Sequence, residues 1–144
     1  TNLTSAKVTL IRGAPYSWYV VSKSESSENI ALSETRNFYL EGPSQLTYIP
    51  FPAKLISPLN ESIINSTNIV TFQWEGYDLE GDIENYDLII ENASNGEEIK
   101  YEKIIRQNFE VELQKGNIYL WKIITRDKEK NISSSVTYNF ELTN

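Results

Sequence analysis

Apolar and polar residues alternate along most of this chain in short runs bounded by turn residues, the two-residue period of half-buried strands. Val70, Phe72 and Trp74 line one face of a predicted strand, with Thr71 and Gln73 between them. Tyr86, Leu88 and Ile90 mark a second strand, and Phe109, Val111 and Leu113 a third. Tyr119, Trp121, Ile123 and Thr125 give a fourth, and Val136, Tyr138, Phe140 and Leu142 a fifth. Residues 53–56, just ahead of Pro58, predict a short edge strand, because proline is tolerated at a sheet edge and not in a central ladder. Residues 97–105, with Ile99 and Tyr101 as apolar positions, predict one more edge strand. About seven strands in roughly ninety residues is the count of a β-sandwich. No segment carries a 3.6-residue apolar stripe, so the expected class is all-β and antiparallel.

Part of the pattern occurs twice. Val8-x-Leu10-x-x-Gly13-x-x-Tyr16-x-Trp18-x-Val20-x-Ser22 returns as Val111-x-Leu113-x-x-Gly116-x-x-Tyr119-x-Trp121-x-Ile123-x-Thr125. After a loop one residue longer in the first copy, Asn37-Phe38-x-Leu40 answers Asn139-Phe140-x-Leu142. Strand-like sequence from residue 53 onward precedes the second copy, whereas only residues 1–7 precede the first. The expected organisation is the C-terminal half of one module (1–42), a Pro-rich junction (43–52) and a complete module (53–144). In the half-module, residues 7–11, 16–23 and 36–40 predict three strands. Pro43, Pro50 and Pro52 restrict φ and keep their neighbours extended, which predicts a stiff connector.

Three strands with no opposing sheet would present Val8, Leu10, Tyr16, Trp18, Val20, Phe38 and Leu40 to water. Such an apolar patch is abnormal for a soluble monomer, and open strand edges invite pairing. Either preceding residues of a parent protein supply the missing sheet, which is the favoured expectation, or a protein partner or second copy does so by strand complementation. The first residue, Thr1, is not an initiator Met, which fits an excised or processed piece.

Composition removes several function classes. The net charge is −7 with a pI near 4.7, which argues against nucleic acid and anionic membranes as partners. No apolar run approaches the ~18 residues of a membrane span. There is no Cys and no His, so disulfides, thiolate metal sites and the usual nucleophile–base pairs are absent. Paired carboxylates could hydrolyse a glycosidic bond only inside a cleft that raises one pKa, and a lone module of this size offers little concavity. The expectation is therefore a protein without catalytic residues or an obligatory cofactor.

The segments Phe72-x-Trp74, Asp78-x-x-Gly81-Asp82-x-x-x-Tyr86-x-Leu88 and Leu113-x-x-Gly116-x-x-Tyr119-x-Trp121-Lys122-Ile123, followed by Asp127 and Ser133–Ser135, resemble a fibronectin type III-like module. The nearest flavour is that of tandem repeats in large bacterial cell-surface and secreted proteins. The resemblance implies an immunoglobulin-like β-sandwich over 53–144, with residues 6–41 as the back half of another. Gly116 would permit the turn between two strands, and the Tyr119 hydroxyl would bond back to upstream backbone as a tyrosine corner. The implied role is a non-catalytic structural or spacer module of an extracellular or bacterial cell-surface protein, presenting or docking neighbouring domains of the same parent. One alternative is a glycan- or protein-binding module using loops 75–82 and 126–133. Another is a subunit of a surface assembly completed by a partner strand.

Asp78, Glu80 and Asp82 follow one strand, and Asp127 and Glu129 follow another that ends at the same pole of such a sandwich. Hard oxygen donors from neighbouring loops suit Ca²⁺, with Asp78, Asp82 and Asp127 the best candidate ligands. Against this, Asp-x-x-Gly-Asp also makes a good turn unaided, and Lys128 and Lys130 sit beside Asp127. All three Trp lie on the face assigned to the core. Tyr48, Phe51 and Tyr77 are the better candidates for exposed aromatics, or for packing between modules. Five Asn-x-Ser/Thr triplets, at Asn2, Asn60, Asn65, Asn92 and Asn131, are taken as turn polarity.

Overall fold

The computed structural model describes residues 4–23, 30–42, 48–65 and 68–144. Along them run thirteen strands. The first four are Ala14–Trp18 (β1), Val21–Lys23 (β2), Ile30–Leu32 (β3) and Arg36–Leu40 (β4). Lys54–Ser57 (β5), Ser62–Ile64 (β6), Ile69–Glu75 (β7), Ile83–Asn92 (β8) and Glu98–Ile104 (β9) follow. Asn108–Glu112 (β10), Asn117–Asp127 (β11), Ile132–Ser134 (β12) and Tyr138–Leu142 (β13) complete the set.

Alternation becomes burial most plainly in β7, where Val70, Phe72 and Trp74 are at most 2% exposed between exposed neighbours. That strand sits at the centre of a three-stranded antiparallel sheet in the order β10–β7–β5. The facing sheet runs β6–β13–β11–β8–β9, with β12 also paired to β11. Its one parallel pairing is β6 with β13. Between the sheets, Phe72 meets Trp121 edge-on at 5.1 Å and Phe140 at 5.9 Å, while Trp74 meets Tyr86 at 5.6 Å. Each such fully buried side chain contributes about 1.5–3 kcal/mol relative to exposure. The predicted edge strands hold their places, with β5 on one sheet margin and β9 on the other.

Four local contacts of the repeat recur in both copies. Tyr16 stands opposite Phe38 in the β1–β4 pair, as Tyr119 stands opposite Phe140 in β11–β13. Their rings stack at 5.5 Å and 5.7 Å respectively. Gly13 and Gly116, at φ 83° and 78°, each donate to the carbonyl of the matching Leu40 or Leu142 at 2.6 Å. The Tyr16 hydroxyl donates to Ile11 O at 2.8 Å, and the Tyr119 hydroxyl to Gln114 O at 2.9 Å, the same five-residue step back. The Ser33 and Ser135 hydroxyls hold matching positions, accepting from Val20 N–H at 2.8 Å and Ile123 N–H at 2.9 Å.

What differs is support from outside the repeat. Residues 7–11 do not form the predicted strand, because their counterpart β10 is a strand by pairing with β7, and no described residue plays β7 to the first copy. The predicted strand over 16–23 starts at Ala14 and breaks at residues 19–20, whereas β11 runs unbroken because β8 holds its other edge. Three short strands had no alternation long enough to announce them, namely β3, β6 and β12. Val136 lies outside β13 and is exposed, and Leu113 lies just past β10 yet is buried.

Trp18 also departs from its assignment to a core. It is 46% exposed where its repeat partner Trp121 is 1% exposed. The β1–β4 hairpin does not turn its apolar face toward the sandwich formed by β5–β13. Ser17, Tyr19 and Asn37, on the opposite face, line a recess of about 30 Å³ with Pro52, Leu55 and Tyr138. Trp121→Ala is expected to cost about 3–5 kcal/mol by opening a core cavity. Trp18→Ala, at the same repeat position, is expected to cost under about 1 kcal/mol. Urea denaturation of both variants, followed by circular dichroism, checks the contrast.

Candidate functional site

The loop between β7 and β8 is shaped by two close approaches. Gly76 lies against Tyr86, where a Cβ would sit 2.6 Å from the ring's Cε1, so no larger residue fits without moving the ring. Burial pushes the Tyr86 hydroxyl pKa up, while the 3.3 Å hydrogen bond it accepts from Gln107 Nε2 works the other way. Two residues on, Asp78 turns inward and is 5% exposed. Its Oδ2 accepts the backbone N–H groups of Glu80 at 2.8 Å and Gly81 at 3.1 Å, with Gly81 at φ 69°. Asp78 is thus a turn-maker, through the side-chain-to-backbone bonds that suit Asp to turns.

The turn uses only half of the carboxylate. Asp78 Oδ1 and Asp82 Oδ1 are both buried and neither has a hydrogen-bond partner. Asp78, Glu80 and Asp82 each bring a carboxylate oxygen within 4.8 Å of the other two. Burial raises the Asp82 pKa above its ordinary value of 3.8, the adjacent Asp78 carboxyl raises it further, and Asp127 and Glu80 add to the same effect. Lys128 N–H donates to Asp82 O at 3.1 Å, tying the loop after β11 to this one.

The fold thus brings together the three sequence-predicted carboxylates, Asp78, Asp82 and Asp127, but with unequal freedom. Asp127 is fully buried and committed, its Oδ1 accepting Asn131 N–H at 2.7 Å and its Oδ2 accepting Asn131 Nδ2 at 2.8 Å. Glu80 takes its place in the tightest group. Lys128 and Lys130 form no ion pair with any of these acids; among the described residues the salt bridges gather on Asp87 and Glu102 instead.

The connecting segment is strapped to this same pole. Tyr48 N–H donates to Glu80 Oε2 at 2.8 Å, and Asn131 Nδ2 donates to Tyr48 O at 3.3 Å. Phe51 N–H donates to Tyr77 O at 3.0 Å, Ser133 Oγ donates to Phe51 O at 3.1 Å, and the Phe51 ring packs on Tyr77 at 5.4 Å. Phe51 is only 5% exposed, so of the three candidate exposed aromatics it is a buried anchor, while Tyr77 is 56% exposed. Tyr48 reaches the other way, edge-on to Tyr39 at 5.2 Å. Pro43 and residues 44–47 of the predicted junction lie outside the described residues. Sequence reasoning missed Glu80 and Asn131 as straps, since contacts across 32 and 83 positions leave no local periodicity.

Beside the loops lies a recess of about 380 Å³ lined by Asp87, Glu102, Lys103, Arg126, Asp127 and Lys130 among others. Its floor is an ion pair, with the buried Asp87 Oδ2 accepting Arg126 Nη2 at 2.8 Å and Nε at 3.1 Å. The lining is charged and holds no aromatic ring. In the first copy of the repeat, Val8 (72%), Val20 (51%), Trp18 and Phe38 are exposed, while Leu10, Tyr16 and Leu40 are half-buried.

No protein-family model matches this chain, and no curated protein does. Solved structures do. The fibronectin(III)-like modules of Clostridium thermocellum CbhA superimpose with a TM-score of 0.50 at 16% identity, covering 63% of this chain and 96% of that one. A structure described as a myokine gives 0.49 at 8% identity, with 68% and 99% covered. CopC from Methylosinus trichosporium OB3b gives 0.43 at 16% identity, with 63% and 93% covered. The fold is therefore that of an antiparallel fibronectin type III-like module, as the motifs implied.

Because the folded pKa of Asp82 is raised, the fold disfavours its charged form. That penalty is fully present above the raised pKa and is relieved as pH falls through it toward the unfolded value. In metal-free buffer at pH 7, Asp82→Asn is expected to raise the thermal midpoint, with the advantage vanishing as pH drops to about 4. Calorimetry across that range checks the sign.

Proposed function

We propose that this chain is a non-catalytic structural element of a larger extracellular or bacterial cell-surface protein, with residues 53–144 one sandwich of a tandem array. In this reading residues 1–42 are the back half of the preceding sandwich, and the segment between them sets the relation of neighbouring domains. The observation that carries it is the strapped connector. Four hydrogen bonds and the buried Phe51 hold residues 48–51 to the loops of the second sandwich. A chain built to hold its neighbours at fixed spacing needs that rigidity, and relative motion of domains is the default without it. The placement outside the cytoplasm rests on the likeness of the repeat segments to modules of bacterial surface and secreted proteins.

A second reading is supported by the uncovered face of the half-module. In the second copy Tyr119, Trp121, Ile123, Phe140 and Leu142 are at most 3% exposed beneath the β10–β7–β5 sheet. The same positions in the first copy are ready to seat an equivalent sheet, from elsewhere in the parent or from a partner strand. Binding of a glycan or protein by loops 75–82 and 126–133 has less support, because the recess beside them is charged and holds no aromatic ring, and the buried Phe51 is used as an anchor.

Limited proteolysis of the full chain in metal-free buffer tests the spacer reading. Cleavage within residues 48–53 is expected to be slow, and Phe51→Ala is expected to speed it at least about tenfold while 53–144 persists, given a hydrophobic anchor of about 1.5–3 kcal/mol. Equal cleavage rates there in the unaltered chain and in Phe51→Ala would mean the connector is no rigid strap, and the reading would be withdrawn.

A further inference from the structure

Two buried carboxylate oxygens that face acidic neighbours and find no donor need either a proton or a cation. Asp78 makes the case sharply, since the residue is 95% buried by its 5% exposure and its second oxygen is already spent on two backbone N–H groups. Asp82 Oδ1 is in the same condition, Glu80 completes the group, and the buried Asp127 adds a fourth negative charge nearby. No Lys or Arg pairs with any of the four among the described residues. A protein that only needed a turn here would satisfy it with Asp78 alone.

We propose that the loops after β7 and β11 form a calcium site, with Asp78 Oδ1, Asp82 Oδ1 and the Glu80 carboxylate as its side-chain ligands. The donor chemistry selects the ion. All candidate ligands are hard oxygens and the chain contains no His or Cys, which excludes the soft and borderline donors that zinc and copper favour. The oxygens come from one loop, and a site completed by backbone carbonyls and water suits the larger and less demanding coordination of Ca²⁺ over the strict octahedron of Mg²⁺. Asp127 acts as a positioning residue, because both of its oxygens already hold Asn131. Glu80 also accepts Tyr48 N–H through Oε2, so an ion here would brace the connector as well as the loops. The site does not depend on the spacer reading, because ion binding is measured on the loops themselves.

The test is isothermal titration of the metal-stripped full chain with CaCl₂, and separately with MgCl₂, paired with thermal melts. One Ca²⁺ per chain is expected, with a dissociation constant of about 0.1–1 mM as in extracellular modules, and with Mg²⁺ binding more weakly. Asp82→Asn is expected to weaken Ca²⁺ at least about tenfold through the lost ligand charge, while Glu98→Gln on β9 leaves it unchanged. Calcium should raise the midpoint of the unaltered chain and raise that of Asp82→Asn less at the same concentration. Asp78→Asn also perturbs the turn, so Asp82→Asn is the variant that reports on the ion. Absence of heat and of a midpoint shift up to about 10 mM Ca²⁺ overturns the proposal. So does equal affinity for Mg²⁺, or an Asp82→Asn variant that binds as the unaltered chain does.

Discussion

A sheet with one apolar face must lay that face against a second sheet, and the rest of this protein follows from where that condition is met. In residues 53–144 it is met through Phe72, which reaches across from β7 to both Trp121 on β11 and Phe140 on β13. That contact joins the two layers. β10 in turn is a strand through β7, the one strand it pairs with among the described residues. In the first copy the same local chemistry is present and no covering sheet stands over it among the described residues, so the strands shorten and Trp18 meets water.

The comparison between the two copies separates local from long-range causes within one molecule. Four features set within the repeat survive in both: the positive-φ glycine, the tyrosine hydroxyl bonded five residues back, the serine hydroxyl accepting a backbone N–H, and the stacked Tyr–Phe pair. Everything set by a neighbouring strand differs: strand continuity, burial of the tryptophan and the state of residues 7–11. A strand pattern is thus a statement about which face would be buried, and burial itself waits for a partner.

The pole that carries the acidic loops does two jobs with few residues. Asp78 closes a turn with one oxygen and leaves the other inside an acidic cluster. Glu80 stands in that cluster and also holds the connector at Tyr48. Charge and connection are therefore coupled at one end of the sandwich, since whatever neutralises the cluster also acts on the residue that grips the chain leading into it.

The fibronectin type III-like class, the central strands, both edge strands and the tyrosine corner could be read from the sequence, because each depends on a period of two or on a motif within about ten residues. The acidic loops could also be read, and so could their meeting at one pole. Only the tertiary structure decided that Glu80, and not Asp127, stands closest to Asp78 and Asp82, because Asp127 is claimed by Asn131 four residues further on. It alone decided that Phe51 is an anchor and Trp18 is not. Those outcomes depend on which distant segments arrive beside a residue, and no local pattern of apolar and polar positions encodes that.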